Sequence, residues 1–294
     1  MHKKIFKQFR KLNDSDWIDL LYQSVDSQVI QGVNFPGLPE EKIQVTIIGS
    51  SGKNSLNEGK YMYQEIRRIA ALQNKKFDRR TKFLDFACGY ARMIRFFMKD
   101  IHPGNLYGSD VTSEFIKICY DTFGGNNRWC FKRKILFDIN NPFPPLKYRK
   151  RYFDIIMAYS LFSHLSEDAH LAWLKEFLRI LKPDGLLFLT LRQQSFLTGL
   201  KELSIENGDI SDYEKRLVDN LATDSIQESF NSGEYIYHPT GGGYKMAHDF
   251  YGETVIPDEY IHKRWGEWFD VVEHYDDTQR LPQAFICLKP KDPG

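Results

Sequence analysis

The stretch Lys82-Phe83-Leu84-Asp85-Phe86-Ala87-Cys88-Gly89-Tyr90-Ala91-Arg92 decides how this chain is read. A short apolar run ends in an acid, passes through small residues and opens an apolar-periodic segment, Met93 to Met98. That order predicts a strand, a tight turn and a helix start, the unit of nucleotide-binding α/β sheets. Small residues let backbone approach a ligand, and free N–H groups at a helix start add a positive local field. Twenty-five residues after Asp85 a second acid, Asp110, closes another apolar run. Its place at a strand end suits the hydroxyls of a ribose.

Downstream, the alternation continues. Strands are expected at Leu106–Ser109, around Lys134–Phe137, at Phe153–Met157 and at Leu186–Leu191. Helices are expected at Arg92–Lys99, at Ser113–Tyr120 and along the stripe Leu171, Leu174, Phe177, Leu178 and Leu181. Such a βαβ succession predicts a mostly parallel sheet covered on both faces. Trp268–Glu273 and Gln283–Leu288 read as two closing strands that make an antiparallel end.

Upstream lies an N-terminal helical and extended cap, residues 1–79, with the main domain at 80–294. Residues 1–12 carry five basic and no acidic side chains among Ile5, Phe6, Phe9 and Leu12. That pattern suits a helix packed on its own domain, or a basic amphipathic contact with a membrane surface or partner. A helix is expected from Asp14 to Ile30 and another from Lys60 to Gln73. Gly49-Ser50-Ser51-Gly52-Lys53 follows a β-like run, Val45 to Ile48, but lacks the spacing and hydroxyl of a phosphate loop and reads as a plain loop. Residues 193–248 break the sheet rhythm. With eight acidic against two basic residues between Leu203 and Glu234, and a glycine-rich turn after it, this excursion reads as a lid on the acceptor side.

Composition narrows the class. At 294 residues and 42% hydrophobic the chain can bury a full sheet core, and a net charge of +1 gives no global reason to expect nucleic acid. Cysteines 88, 119, 130 and 287 lack the close pairing of a zinc site and read as reduced, buried thiols. No run of 18 apolar residues marks a membrane span, so a cytoplasmic location is expected.

Asp85 to Arg92, Asp110, Tyr152-Phe153-Asp154-Ile155-Ile156 with Tyr159-Ser160, and Phe177 through Gly185 together resemble the class I S-adenosylmethionine-dependent methyltransferases. The likeness is strong over 80–191. Tyr159-Ser160-Leu161-Phe162-Ser163-His164-Leu165 and the closing pattern from His248 through Trp265-Gly266-Glu267-Trp268-Phe269 to Gln283 resemble a branch found beside glycosyltransferases in surface-glycan gene sets. The resemblance implies a Rossmann-like seven-stranded sheet with helices on both faces, S-adenosyl-L-methionine as cofactor, and an acceptor that is a glycan or small molecule, nucleotide- or lipid-linked. It departs from the pattern at Ala87 and Ala91, where glycines are usual. Alanine fits where close approach is needed but disfavours positive φ, so the turn stays competent for the cofactor if those two positions have ordinary dihedrals. A dinucleotide oxidoreductase shares the turn and the downstream acid, but not the later motifs.

Carried over residue by residue, Asp85 would orient the methionyl amino end, with Ala87, Cys88, Gly89 and Tyr90 presenting backbone and wall. Arg92 either faces the cofactor carboxylate or lies on a helix surface. Asp110 would accept the ribose hydroxyls, Val111 would pack on adenine, Asp138 and Ile139 would meet the adenine amino group and face, and Asn140 competes for the polar contact. Tyr159 and Ser160 would border the methyl group. His164 and His248 are the candidate bases for an acceptor hydroxyl, His164 alternatively capping the next helix. His238, Tyr244 and Asp249 are candidate acceptor-binding residues. No metal is implied, and Asp276-Asp277 read as solvated turn residues. Ala158-Tyr159-Ser160-Leu161 replaces the acid-or-Asn-Pro-Pro-aromatic pattern of base-modifying enzymes, which favours O-methylation of a sugar hydroxyl over nucleic acid. Methylation of a small molecule on oxygen or nitrogen, and a degenerate binding protein, are the alternatives.

Overall fold

The computed structural model describes residues 2–75, 77–123, 134–205, 210–239, 247 and 250–291. Seven strands form the main sheet: β1 (Phe83–Phe86), β2 (Leu106–Asp110), β3 (Leu136–Ile139), β4 (Phe153–Ala158), β5 (Leu181–Leu191), β6 (Phe269–Tyr275) and β7 (Ala284–Pro290). Their order across the sheet is β6-β7-β5-β4-β1-β2-β3. β1, β2 and β3 pair in parallel, whereas β7 runs antiparallel to both β5 and β6. The expected α/β sheet with an antiparallel closing strand is therefore present. Every residue of β1 and β2 is buried, as parallel strands covered on both faces require.

By contact density the chain forms two compact units, Met1–Asn141 with Tyr152–Met157, and Pro142–Arg151 with Ala158–Gly294. In the first, helices at His2–Phe9, Asp14–Asp26 and Asn57–Leu72 pack on the segment that follows β1. The Trp17 indole donates to Phe96 O at 2.7 Å, and Phe9, Trp17 and Phe35 form one aromatic cluster. Tyr63, wholly buried, donates towards Asp14 and Asp100 at 2.9 and 2.8 Å. Lys99 and Arg67 bridge the same two acids, so the polar groups under the cap are matched by charge.

Several local expectations change. Val45 to Ile48 lies in a helix, Glu41–Ile48, despite its β-branched residues. Gln44 fixes it, donating to Pro39 O and accepting from Gly52 N, and left-handed Gly49 (φ 72°) closes it. The helix expected from Asp14 to Ile30 stops at Asp26, and Val29–Ile30 pairs with Val33–Asn34. The helix expected at Arg92–Lys99 is a 3₁₀ segment, Ile94–Lys99, with all six residues buried. It lacks the solvent-facing side on which an amphipathic α-helix depends, and no α-helix start stands beside the turn. β3 begins two residues later than Lys134, and β5 begins at Leu181 directly where helix Glu167–Ile180 ends.

In the second unit, the described residues between 194 and 255 form more regular structure than the single helical segment expected around Tyr213–Leu221. Helices Gln194–Ile205, Asp212–Leu221 and Asp224–Asn231 precede a hairpin, Ile236–His238 with Glu253–Val255. Leu197, Leu200, Leu217, Leu221, Ile236 and Val255 give them a core of their own. Asp276 is not a solvated turn residue: it accepts from the Ser195 N–H and hydroxyl at 2.7 and 2.5 Å, holding the start of the first of these helices.

His170 is fully buried, stacks on Tyr235 at 4.9 Å and accepts the Trp265 indole N–H at 2.6 Å. Burial, reinforced by Arg264, pushes its pKa down to about 3 from 6.5. Below pH 6.5 the unfolded chain takes up a proton that the folded chain refuses, so stability must fall as pH drops. The difference between parent and His170→Gln unfolding free energies should shrink between pH 7 and 5, approaching about 1.4 kcal/mol per pH unit. Urea denaturation measures it, and parallel curves would show that His170 titrates alike in both states.

Candidate functional site

The first unit gathers most of the sequence-marked residues at the C-terminal ends of β1, β2 and β3, the edge where open α/β sheets bind ligands. Leaving β1, the backbone takes φ of 56° at Ala87, 52° at Gly89 and 58° at Ala91. The condition of ordinary dihedrals at the two alanines is thus not met, and both take the left-handed backbone that glycine would take there. Each L-residue there costs roughly 1–2 kcal/mol, and surrounding bonds hold it. Cys88 N donates to Ser109 O at 3.0 Å, Ala91 N to Cys88 O at 2.8 Å and Gly89 N to the Asp110 carboxylate at 2.9 Å. Gly108 beneath admits no Cβ, which would lie 2.6 Å from the Phe137 ring and 3.0 Å from Cys88 Sγ. Above Gly89, by contrast, a Cβ would meet nothing within 4 Å. The turn is packed from below and open on its other side.

Asp85 is buried, and its Oδ2 has no hydrogen-bond partner among the described residues. Burial pushes its pKa up to about 8, opposed by Arg92 and by the Ile94 N–H and reinforced by Asp110. Arg92 is not on a surface: it is buried, donates to Ser55 O at 2.8 Å and pairs with Glu58. Tyr90 is buried in the same wall, and Cys119 Sγ donates to Gly89 O at 3.1 Å. Asp110 accepts from Gly89 N and from Thr112 N at 2.8 Å, bonds that oppose the rise burial imposes on its pKa. Two bonds leave a carboxylate further lone pairs.

Val111 is half-buried, and Ile139, opposite Asp110 in the ladder, is 60% exposed, so an apolar side chain stands open at this edge. Asn140 is committed: Oδ1 accepts the Ser109 hydroxyl at 2.6 Å, and Nδ2 donates to Asn141 O at 2.8 Å. Asp138 is half-buried on the same strand.

In the second unit, Ser160 has φ 54°, its N–H donates to Thr190 Oγ1 at 2.7 Å, and its hydroxyl accepts from Gln283 at 2.8 Å. Tyr159 is buried beside it. His164 does not cap the following helix. Its Nδ1 donates to Gly252 O at 2.9 Å, and its ring stacks on Tyr251 at 5.0 Å. Burial and Arg192 push its pKa down to about 3, so the imidazole is neutral at pH 7 and Nε2 is its acceptor atom. Glu253 lies 3.4 Å from Nδ1, pairs with Arg192 and accepts the Tyr213 hydroxyl at 2.8 Å. His238 faces Glu253 across the hairpin. Tyr244, His248 and Asp249 lie outside the described residues. Arg192, Tyr213 and Glu253 carried no sequence expectation; the available signal was an acid heading an apolar run, Glu253-Thr254-Val255-Ile256.

Residues 84–187 match the model of a family described as a methyltransferase domain. No curated protein matches the sequence significantly. Among solved structures, an S-adenosylmethionine-dependent methyltransferase from Clostridium acetobutylicum is 13% identical, covers 95% of this chain and 100% of its own, and superposes with a TM-score of 0.50. Magnesium protoporphyrin IX methyltransferase from Synechocystis, solved with bound SAH, is 11% identical over 99% of this chain and 100% of its own, with a TM-score of 0.49. At 13% identity the first of these speaks to the fold alone.

Ala87→Gly should stabilise the protein by about 0.5–1 kcal/mol, because relief of the left-handed alanine outweighs the added unfolded-state entropy. Gly89→Ala should destabilise it by about 1 kcal/mol without steric conflict. Chemical denaturation of both variants checks the pair of signs.

Proposed function

We propose that this S-adenosylmethionine-dependent methyltransferase transfers its methyl group to a hydroxyl of a sugar, free or carried on a nucleotide or lipid. The observation that supports the cofactor contacts is the Asp85 carboxyl: buried, with one oxygen unpartnered, under a turn whose Gly89 has open space above it. A cationic amino group fits that oxygen, since it supplies the charge and donors the protein withholds. Asp110 would take the ribose hydroxyls with its remaining lone pairs, Val111 and Ile139 would flank the adenine, and Asp138 or the free lone pair of the Asn140 amide oxygen would meet its amino group. Bound there, S-adenosylmethionine supplies a methyl group on a cationic sulfur.

The acceptor assignment rests on the second unit. Tyr159-Ser160 follows β4 in place of the pattern of base-modifying enzymes, and residues 193–248 are read as the acceptor-side lid. His164 is read as a positioning residue: with a pKa near 3 its Nε2 can accept a hydrogen bond from a hydroxyl but cannot hold the proton at neutral pH. Orientation of the attacking oxygen then contributes more than proton removal. A degenerate binding protein has no use for a buried carboxyl left unpartnered beside an open turn, which disfavours that reading.

S-adenosylhomocysteine carries the same amino end. Its affinity should rise with pH up to about 8, by up to tenfold per unit, as Asp85 gives up its proton to meet the ammonium. Asp85→Asn should flatten the profile and weaken binding by about 1–3 kcal/mol. Asp110→Ala should weaken it similarly and keep a pH-dependent affinity, since Asp85 is still present. Calorimetry on folded variants decides, and a flat parent profile from pH 6 to 8 would remove Asp85 from the amino site.

Incubation with nucleotide sugars, glycans and small hydroxylated metabolites, followed by mass spectrometry, should give an O-methylated sugar. Methylation confined to non-sugar acceptors would overturn the acceptor class. With the true acceptor, the single-turnover rate should show no ionisation of His164 between pH 5 and 9, and His164→Asn should lower that rate without changing its pH dependence.

A further inference from the structure

The first helix divides its residues between two faces. Ile5 and Phe9 are buried, Phe6 lies edge-on to His102 at 5.6 Å, and Leu12 is half-buried. Lys3, Lys4 and Lys7 fall on the opposite side of the helix at helical spacing, Arg10 and Lys11 follow in the turn after it, and all five are exposed. The apolar side is used inside the protein, so insertion of this helix into a bilayer core would strip the cap of its packing. What is left outside is charge.

That charge extends beyond the helix. His102 N donates to Arg79 O at 3.2 Å, which brings the exposed Arg79 and Arg80 to the segment that Phe6 contacts. None of the seven basic side chains enters an ion pair among the described residues, whereas neighbouring Asp14 and Asp100 are neutralised by Lys99 and Arg67. Arg79, Arg80 and His102 also precede β1 and β2, at the end of those strands opposite Asp85 and Asp110. β2 is five residues long, which puts roughly 16 Å between the ends. A group bound on this face is out of reach of the turn at Gly89, so the face serves docking and not catalysis.

We propose that this face docks reversibly on an anionic phospholipid bilayer. Four of the seven cations are lysines, compact point charges suited to a diffuse negative surface; bidentate phosphate reading relies on arginine forks. Phe6 is turned from this face towards His102, so among the described residues of the helix no ring stands on it as a platform for stacking bases. Clustered lysines and arginines each contribute about 1 kcal/mol at such a surface. Docked this way, the protein keeps the cofactor edge of its first unit turned away from the lipid.

Co-sedimentation of the full chain with vesicles tests this. At low salt it should bind vesicles of phosphatidylcholine mixed with phosphatidylglycerol, not phosphatidylcholine alone, and release them near roughly 1 M salt, where charges are screened beyond about 3 Å. Replacing Lys3, Lys4, Lys7, Arg10 and Lys11 by Gln should weaken vesicle binding at least about tenfold while S-adenosylhomocysteine binding is unchanged. The milder pair Arg79→Gln and Arg80→Gln should weaken it less. Absence of binding to anionic vesicles, undiminished binding of the five-fold variant, or binding to an oligonucleotide without binding to vesicles would overturn the proposal.

Discussion

Left-handed backbone at alternate residues 87, 89 and 91 is the constraint on which the first unit's ligand edge depends. One of the three is a glycine and two are alanines, so the conformation is imposed by its surroundings. Cys88 N is tied to β2 through Ser109 O, and Gly89 N to Asp110. β2 in turn accommodates Cys88 because Gly108 has no side chain. The strain at the alanines persists because the strand pair beneath the turn over-determines it, as at other sites where backbone geometry is spent on ligand approach.

Two acids at this edge share burial but differ in satisfaction. Asp110 receives N–H groups from two turns, which offset part of the rise that burial imposes. Asp85 receives one, from Ile94, and keeps an oxygen without a partner. An unpaired buried oxygen is a standing cost in the free protein, and a ligand able to donate to it removes that cost on binding. Arg92 could have supplied the missing charge, but Glu58 and Ser55 hold its guanidinium on the cap side. The N-terminal helices thus take part in the electrostatics of the edge without lining it.

Strands were legible in the sequence because each is a short apolar run ended by an acid, a glycine or a turn, and a buried parallel strand needs little more. The positions of Asp85, Asp110 and Ile139 at strand ends followed from the same runs. Conformation inside the turns was not legible, since alanine by itself speaks against positive φ and only the packing of Gly108 and Asp110 explains it. The helix at Glu41–Ile48 shows the same override, its β-branched residues yielding to Gln44 and Gly49. The cluster of Arg192, Tyr213, Glu253 and His164 joins residues up to 89 positions apart, and no local pattern announces a contact of that separation.

Near-neutral net charge hides a strong internal division. The five cations of residues 1–12 and the acid excess between Leu203 and Glu234 cancel in the sum of +1, yet they belong to different compact units. A Debye length of about 8 Å at physiological ionic strength prevents such separated groups from cancelling where a ligand or surface would feel them. Each unit therefore acts through its own local field. In the first, that field changes along the strands: acids buried at one end, uncompensated lysines and arginines exposed at the other. Burial leaves Asp85 with an oxygen that only a donating group can satisfy, while exposure leaves the basic face open to screening by salt. The same sheet can thus present a tight site and a weak, reversible one because its two ends differ in solvent access.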